Sequence, residues 1–241
     1  MPEMLLTLSG VNTHIGHYHI LQGVDFAVPR GELTMLLGRN GAGKTTTLRT
    51  ILGLWRASSG TIHLENTDIA KCDTPTIANM GVAYVPESMG IFAGLTVREN
   101  LVLAARKGDL DEARLDWICG YFPALKKFWF LPAGLLSGGQ KQMLSVSRAI
   151  VEPRKLVLID EPTKGLAPSI INNLIEALKE LKRTDTTILM VEQNFHAARS
   201  LGDGVAVMDS GRIVHSGRMS ELAEDETLQT RLLGLSLDVH Q

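Results

Sequence analysis

Apolar positions fall into short β-like runs towards both ends of the chain and into a helical rhythm in its middle. Met4 to Leu8 and Ile20 to Val28 alternate or are rich in β-forming residues, and Pro29-Arg30-Gly31 turns the chain into a strand that reads as buried, Glu32 to Leu37. Glycine follows at once, from Gly38 to Gly43. Beyond it Leu48, Ile51 and Leu52 share one face of a helix predicted over Lys44 to Leu54. Strand, glycine loop and helix in that order make half of a βαβ unit.

From Thr96 to about Val151 the rhythm is mainly helical, with Val97, Leu101 and Ala104 in step and further helices expected around Asp111 to Phe122 and Gln140 to Ile150. Strands return at Leu156 to Asp160, Thr187 to Val191 and Val205 to Met208, separated by an amphipathic helix, Ser169 to Lys182, and a shorter one near Phe195 to Leu201. This alternation predicts an α/β fold with a mainly parallel sheet. Residues 1–95 and 152–241 then form one core, residues 96–151 an inserted helical subdomain, and Ser220 to Leu235 a closing helix with a frayed end.

Composition bears more on partners than on fold. A chain of 241 residues, 44% hydrophobic and 21% charged, suits one globular domain or a core with a small subdomain. Lys and Arg total 24 against 26 Asp and Glu, a formal charge of -2, which argues against a nucleic-acid partner. Cys72 and Cys119 lie far apart and read as small hydrophobes in a reducing compartment. No apolar run approaches the roughly 20 residues that span a bilayer, and an early Glu3 with no basic flank does not fit a secretory signal. Synthesis in the cytosol without a membrane crossing is the expectation.

Gly38-Arg39-Asn40-Gly41-Ala42-Gly43-Lys44-Thr45 matches the phosphate-loop pattern G-x-x-x-x-G-K-[ST] without a mismatch. Glycines let backbone N–H groups turn inward around phosphate oxygens, and the following helix aims its positive end at the same anion. Hydrogen bonds to charged groups contribute about 1.5–3 kcal/mol each, so several hold a triphosphate firmly. Lys44 is expected to reach the β and γ phosphates, Thr45 to offer its hydroxyl to Mg2+, and Thr46 to complete the loop. A glycine-rich turn that merely precedes a lysine is the alternative, and the flanking strand and helix count against it.

The apolar run Leu156-Val157-Leu158-Ile159 ends in two carboxylates, Asp160 and Glu161. A phosphate-loop enzyme needs such a second acidic partner: Asp160 would hold Mg2+, and Glu161 would orient or deprotonate the water that attacks the γ phosphate. Without the phosphate loop, Asp-Glu-Pro would read as a surface turn.

Leu136-Ser137-Gly138-Gly139-Gln140 lies between these two motifs, after the helical stretch. With that order of motifs the chain resembles an ATP-binding-cassette (ABC) ATPase along nearly its whole length. The resemblance implies an ABC ATPase core with an N-terminal antiparallel β part, ATP and Mg2+ as ligands, and a signature segment that reads the γ phosphate of nucleotide held by a second ATPase subunit, identical or homologous. It also implies integral membrane permease subunits, an indirect link to a substrate-binding protein, and a place at the cytoplasmic face of the membrane. Val85-Pro86-Glu87, Ile91 to Leu101, Asp160 to Pro168 and Val191-Glu192-Gln193-Asn194 further resemble the ATP-binding subunits of branched-chain amino acid importers, with urea and short-amide importers as close alternatives.

Departures from the wider family matter for mechanism. Ile15 stands where an aromatic usually stacks on adenine, with His14 and Tyr18 nearby. Glu87 replaces a glutamine that touches Mg2+ and signals to the membrane subunit, Gln193 replaces a histidine at the γ phosphate, and Ala167 replaces an aspartate at the subunit contact. A regulatory subunit that binds ATP without hydrolysing it is the rival these changes suggest, and the intact Lys44, Ser137, Asp160 and Glu161 argue against it. DNA-repair cassettes share the motifs but need long coiled-coil arms or zinc modules in the gap. His14, His17 and His19 read as polar facing rather than a metal site. Tyr121 to Leu131 reads as core of the helical segment, with contact to a membrane subunit as the alternative.

Overall fold

Hairpin-forming strands β1 (Met4–Ile15) and β2 (Tyr18–Pro29) run longer than alternation predicts, because the register shifts between Leu8 and Val11, where Gly10 takes a φ of 59°. In the computed structural model, which describes residues 3–106 and 108–234, this hairpin joins β4 (Ser59–Leu64) and β5 (Thr67–Asp68) in an antiparallel sheet of order β2-β1-β4-β5, once β3 (Leu33–Gly38) has left for the second sheet. Helix α1 (Lys44–Ile51) stops short of Leu54. Gly53, with φ 71°, turns the chain where an added Cβ would meet the Cys72 carbonyl oxygen at 2.7 Å.

Asp73 caps α2 (Thr74–Asn79), which leads into β6 (Val82–Val85). The helical stretch begins at Thr96, whose hydroxyl and Glu99 form a capping box on α3 (Val97–Val102), and continues through α4 (Glu112–Tyr121), α5 (Pro123–Lys127) and α6 (Gly138–Ile150). Next come β7 (Leu156–Asp160), α7 (Pro168–Lys182), β8 (Thr187–Val191), α8 (Phe195–Leu201), β9 (Gly204–Asp209) and β10 (Arg212–Arg218). The expected single closing helix is two, α9 (Met219–Glu224) and α10 (Glu226–Leu233), because the Asp225 side chain accepts the Leu228 N–H at 2.8 Å and starts a new helix. Leu235 and the expected frayed end lie outside the described residues.

The second sheet has the order β10-β9-β3-β8-β7-β6, parallel except for β10 against β9. Strands β7 and β8 are buried at every position, as a sheet covered on both faces requires. One face packs on Val97, Leu101, Phe122, Leu144, Leu174 and Leu178, so the helical stretch shares its apolar core with the sheet. The other face packs on the antiparallel sheet and on Leu48 and Ile51 of α1. Burying each such side chain contributes about 1.5–3 kcal/mol. Phe122 and Leu125 are fully buried, whereas Phe130 is 78% exposed, so the apolar run between α4 and the signature is only partly core. No described helix is long and apolar enough to cross a membrane.

Register fixes where the loops meet. Val191 pairs with Leu36 on one side and with Asp160 on the other, so β3, β8 and β7 end at one level. Ligands of open α/β sheets bind beyond the carboxyl ends of the strands.

Candidate functional site

Gly38 leaves β3 at φ 145°, where an added Cβ would sit 2.1 Å from the Met208 carbonyl oxygen of β9. Only glycine fits that approach. The loop turns through an Ala42 N–H to Arg39 carbonyl bond of 3.2 Å, and Gly43, at φ 109°, opens α1. The first turn of a helix has N–H groups without intrahelical partners, so Lys44, Thr45 and Thr46 present theirs to a cavity of about 370 Å³. Asn40, Gly41, Gly43, Glu87, Glu161, Lys164 and Gln193 also line it.

Lys44 is 5% exposed and folds back on its own loop, donating to the carbonyls of Gly38 at 2.8 Å and Arg39 at 3.0 Å, with Glu161 Oε1 4.0 Å away. Burial pulls its ammonium below the ordinary lysine range, and the charges of Glu161 and Asp160 oppose that. Asp160 is fully buried at the end of β7. Its carboxylate accepts from the Thr45 hydroxyl at 3.1 Å and from the Tyr84 hydroxyl at 3.2 Å. Burial pushes the Asp160 carboxyl up and those two bonds pull it down. Burial and the Asp160 charge push the Tyr84 hydroxyl up to about 12, so it stays a donor.

Glu161 adopts a left-handed conformation, φ 47°, and sends its N–H to the Val191 carbonyl at 2.9 Å. That conformation costs a non-glycine residue about 1–2 kcal/mol and persists only where its surroundings hold it. The Gln193 side-chain amide donates to Glu161 Oε1, and the Lys164 ammonium lies 3.4 Å from Oε2. Lys164 also donates to Glu87 at 2.7 Å.

The structure thus gathers Lys44, Thr45, Asp160, Glu161, Gln193 and Glu87 at one crevice. Ile15 is not among the residues that line the phosphate cavity; it pairs with Tyr18 at the end of the hairpin, while Ile20 lines the cavity. His14 and His19 stack at 4.2 Å, bonded to Ser58 and Asn12. The signature lies elsewhere on the surface. Ser137 caps α6 in a reciprocal capping box with Gln140, Leu136 is buried, and Ser137 and Gly138 are exposed. Since the Ser137 hydroxyl accepts the Gln140 N–H, its own proton remains available to an anion. Tyr84, Lys164 and Glu192 escaped motif reasoning because their roles depend on which strands are neighbours. Lys164 and Glu192 lie within Asp160 to Pro168 and Val191 to Asn194, segments that carry the family resemblance.

A glycine loop between a parallel strand and a helix, with a buried aspartate on the next strand but one, defines a phosphate-loop nucleotide-binding protein. The ABC transporter family profile matches residues 21–164. The chain belongs to that family and is an ABC ATPase. Among curated proteins it is 37% identical over 232 residues to the high-affinity branched-chain amino acid transport ATP-binding protein BraG of Pseudomonas aeruginosa, covering 95% of this chain and 100% of that one. It is 35% identical over 235 residues to the probable branched-chain amino acid transport ATP-binding protein LivF of Archaeoglobus fulgidus, covering 96% and 99%. A solved ATP-binding subunit of an ABC transporter superposes with a TM-score of 0.80 at 31% identity, covering 97% and 96%.

Proposed function

We propose that this chain is the ATP-hydrolysing subunit of an importer for branched-chain amino acids, held at the cytoplasmic face of the membrane by permease subunits and fed by a substrate-binding protein. Full-length likeness to two branched-chain amino acid transport proteins supports the cargo. The observation that carries the chemistry is the meeting of Lys44, Thr45, Glu161 and Gln193 at one cavity, with Asp160 buried behind the Thr45 hydroxyl, while Ser137 and Gly138 face outward. Half a site on each of two surfaces makes sense when two copies, or two homologues, close on two ATP molecules.

The residues present fit Mg2+: Thr45 Oγ1 and Asp160 Oδ1 are hard oxygen donors 3.1 Å apart at the mouth of the phosphate loop. Bound there, Mg2+ would neutralise charge on the β and γ oxygens. The phosphate loop cradles the triphosphate through its N–H groups, and Lys44 exchanges its two carbonyl partners for phosphate oxygens. That exchange draws the lysine away from Glu161, leaving the carboxylate to accept a proton from the attacking water. Gln193 steadies the carboxylate meanwhile. It donates a hydrogen bond without carrying charge. Glu87, tied to Lys164, is placed to report nucleotide binding to the segment that leads into the helices.

Glu161→Gln tests the assignment. It should leave ATP binding within about twofold and lower steady-state phosphate release by a factor of 10² or more; turnover at the wild-type rate overturns Glu161 as the base. Uptake of labelled leucine against urea, in cells lacking the chain and complemented with it, tests the cargo.

A further inference from the structure

The backbone ladder between β7 and β8 ends one residue beyond their last paired positions, at the bond from Glu161 N–H to the Val191 carbonyl. Past that point a side chain takes over. Glu192 is 2% exposed, and its carboxylate accepts the Thr163 N–H on Oε1 at 3.1 Å and the N–H groups of Gln193 and Asn194 on Oε2 at 3.0 and 3.1 Å. One oxygen therefore holds the loop that carries Glu161. The other holds the loop that carries Gln193, whose side chain in turn donates to Glu161.

We propose that Glu192 is a positioning residue for hydrolysis: its buried carboxylate clasps the two catalytic loops together and so fixes the Gln193 amide on Glu161. The proposal rests on Glu161 being the base. Three features carry it. The clasp spans two loops, which an apolar side chain at the end of β8 would leave unjoined. Each of its oxygens faces at least one backbone N–H, which cannot reverse polarity even though the Thr163 side chain also bonds the carboxylate, whereas both partners of Asp160, the Thr45 and Tyr84 hydroxyls, can rotate to accept. Glu161 sits in a conformation that needs outside support. Burial raises the Glu192 carboxyl and the surrounding hydrogen bonds oppose the rise, so the position costs stability unless every donor is in place.

Glu192→Gln keeps the shape but turns one of the two accepting oxygens into an NH2 group facing an N–H, which opens one side of the clasp. In the full-length chain we expect kcat for phosphate release to fall about tenfold or more, since displacement of a catalytic group by about 1 Å can cost 10², with the KM for ATP and the affinity for a fluorescent ATP analogue within about twofold. Because the effect passes through Gln193, the same change made on Gln193→Ala should lower kcat by less than about twofold further. Should Glu192→Gln fail to fold, Glu192→Asp keeps the charge but is one methylene too short to span both loops, and it should show the same loss. Wild-type kcat in the folded variants, or a loss of full size on the Gln193→Ala background, overturns the clasp. Glu161→Gln in the same assay separates the two claims. If it stays active the base is misassigned, and if it is dead while Glu192→Gln is unaffected only the clasp fails.

Discussion

Lys164 donates to Glu87 at 2.7 Å, joining the loop after β7 to the segment after β6 across the mouth of the phosphate cavity. Both side chains reach solvent, so the pair adds little to stability. Its place matters more than its strength. The ammonium also stands 3.4 Å from Glu161, and with Lys44 it balances the two glutamates that would otherwise repel a triphosphate.

Charge reversal at that position should therefore be felt by the ligand. Lys164→Glu is expected to weaken ATP binding by roughly three- to tenfold at low salt, and by less as salt screens the field. Titration with a fluorescent ATP analogue at two ionic strengths measures both. Equal affinity at low salt would remove Lys164 from the nucleotide's surroundings.

Asp160 predicts a trade between function and stability. Its folded carboxyl is raised above the ordinary value of 3.8 by burial, so the native state holds a proton that the unfolded chain has released between those two values. The contribution is full below 3.8 and is lost as pH rises through the folded value. Asp160→Asn removes that loss, and the rotating Thr45 and Tyr84 hydroxyls can satisfy the amide. In EDTA the variant should melt higher than wild type near neutral pH by on the order of 2–6 °C, with the gap closing towards pH 4, while phosphate release disappears. A gap that stays constant with pH counts against the buried charge as its origin.

Gly138 separates folding from assembly. An added Cβ there meets nothing within 4 Å in its own subunit, and the residue opens α6, where alanine is tolerated better than glycine. Gly138→Ala should melt no lower than wild type and yet lose at least about tenfold in turnover, as crowding against a closely packed ligand does. Full turnover would mean that nothing closes on that surface.

Much of this was legible in the chain because the site is built at strand ends. Leu156–Asp160 and Thr187–Val191 are continuous apolar runs that only a doubly covered strand explains, and both bounds match the structure. Residues 59–85 were not legible. Ser59–Leu64 opens on Ser-Gly-Thr and buries only Ile62 and Leu64, Val82–Val85 is short, and β10, Arg212–Arg218, has no buried position to mark one face. Strand β6 matters all the same, for it brings Tyr84 to Asp160. Motifs located the phosphate loop and the carboxylates, but they could not reveal Glu192, whose role depends on reaching Thr163 on a neighbouring strand's loop as well as the N–H groups of its own.

Gly38 has one more implication. With no room for a Cβ between it and the Met208 carbonyl, the anchor of the phosphate cradle is set by β9, a strand that lines no part of the cavity. Rigid support of this kind at Gly38 keeps the cradle's backbone in one shape, and a preformed shape lowers what binding must spend on ordering. A substitution at Met208 that shifted the β9 backbone would blunt nucleotide affinity from outside the cavity.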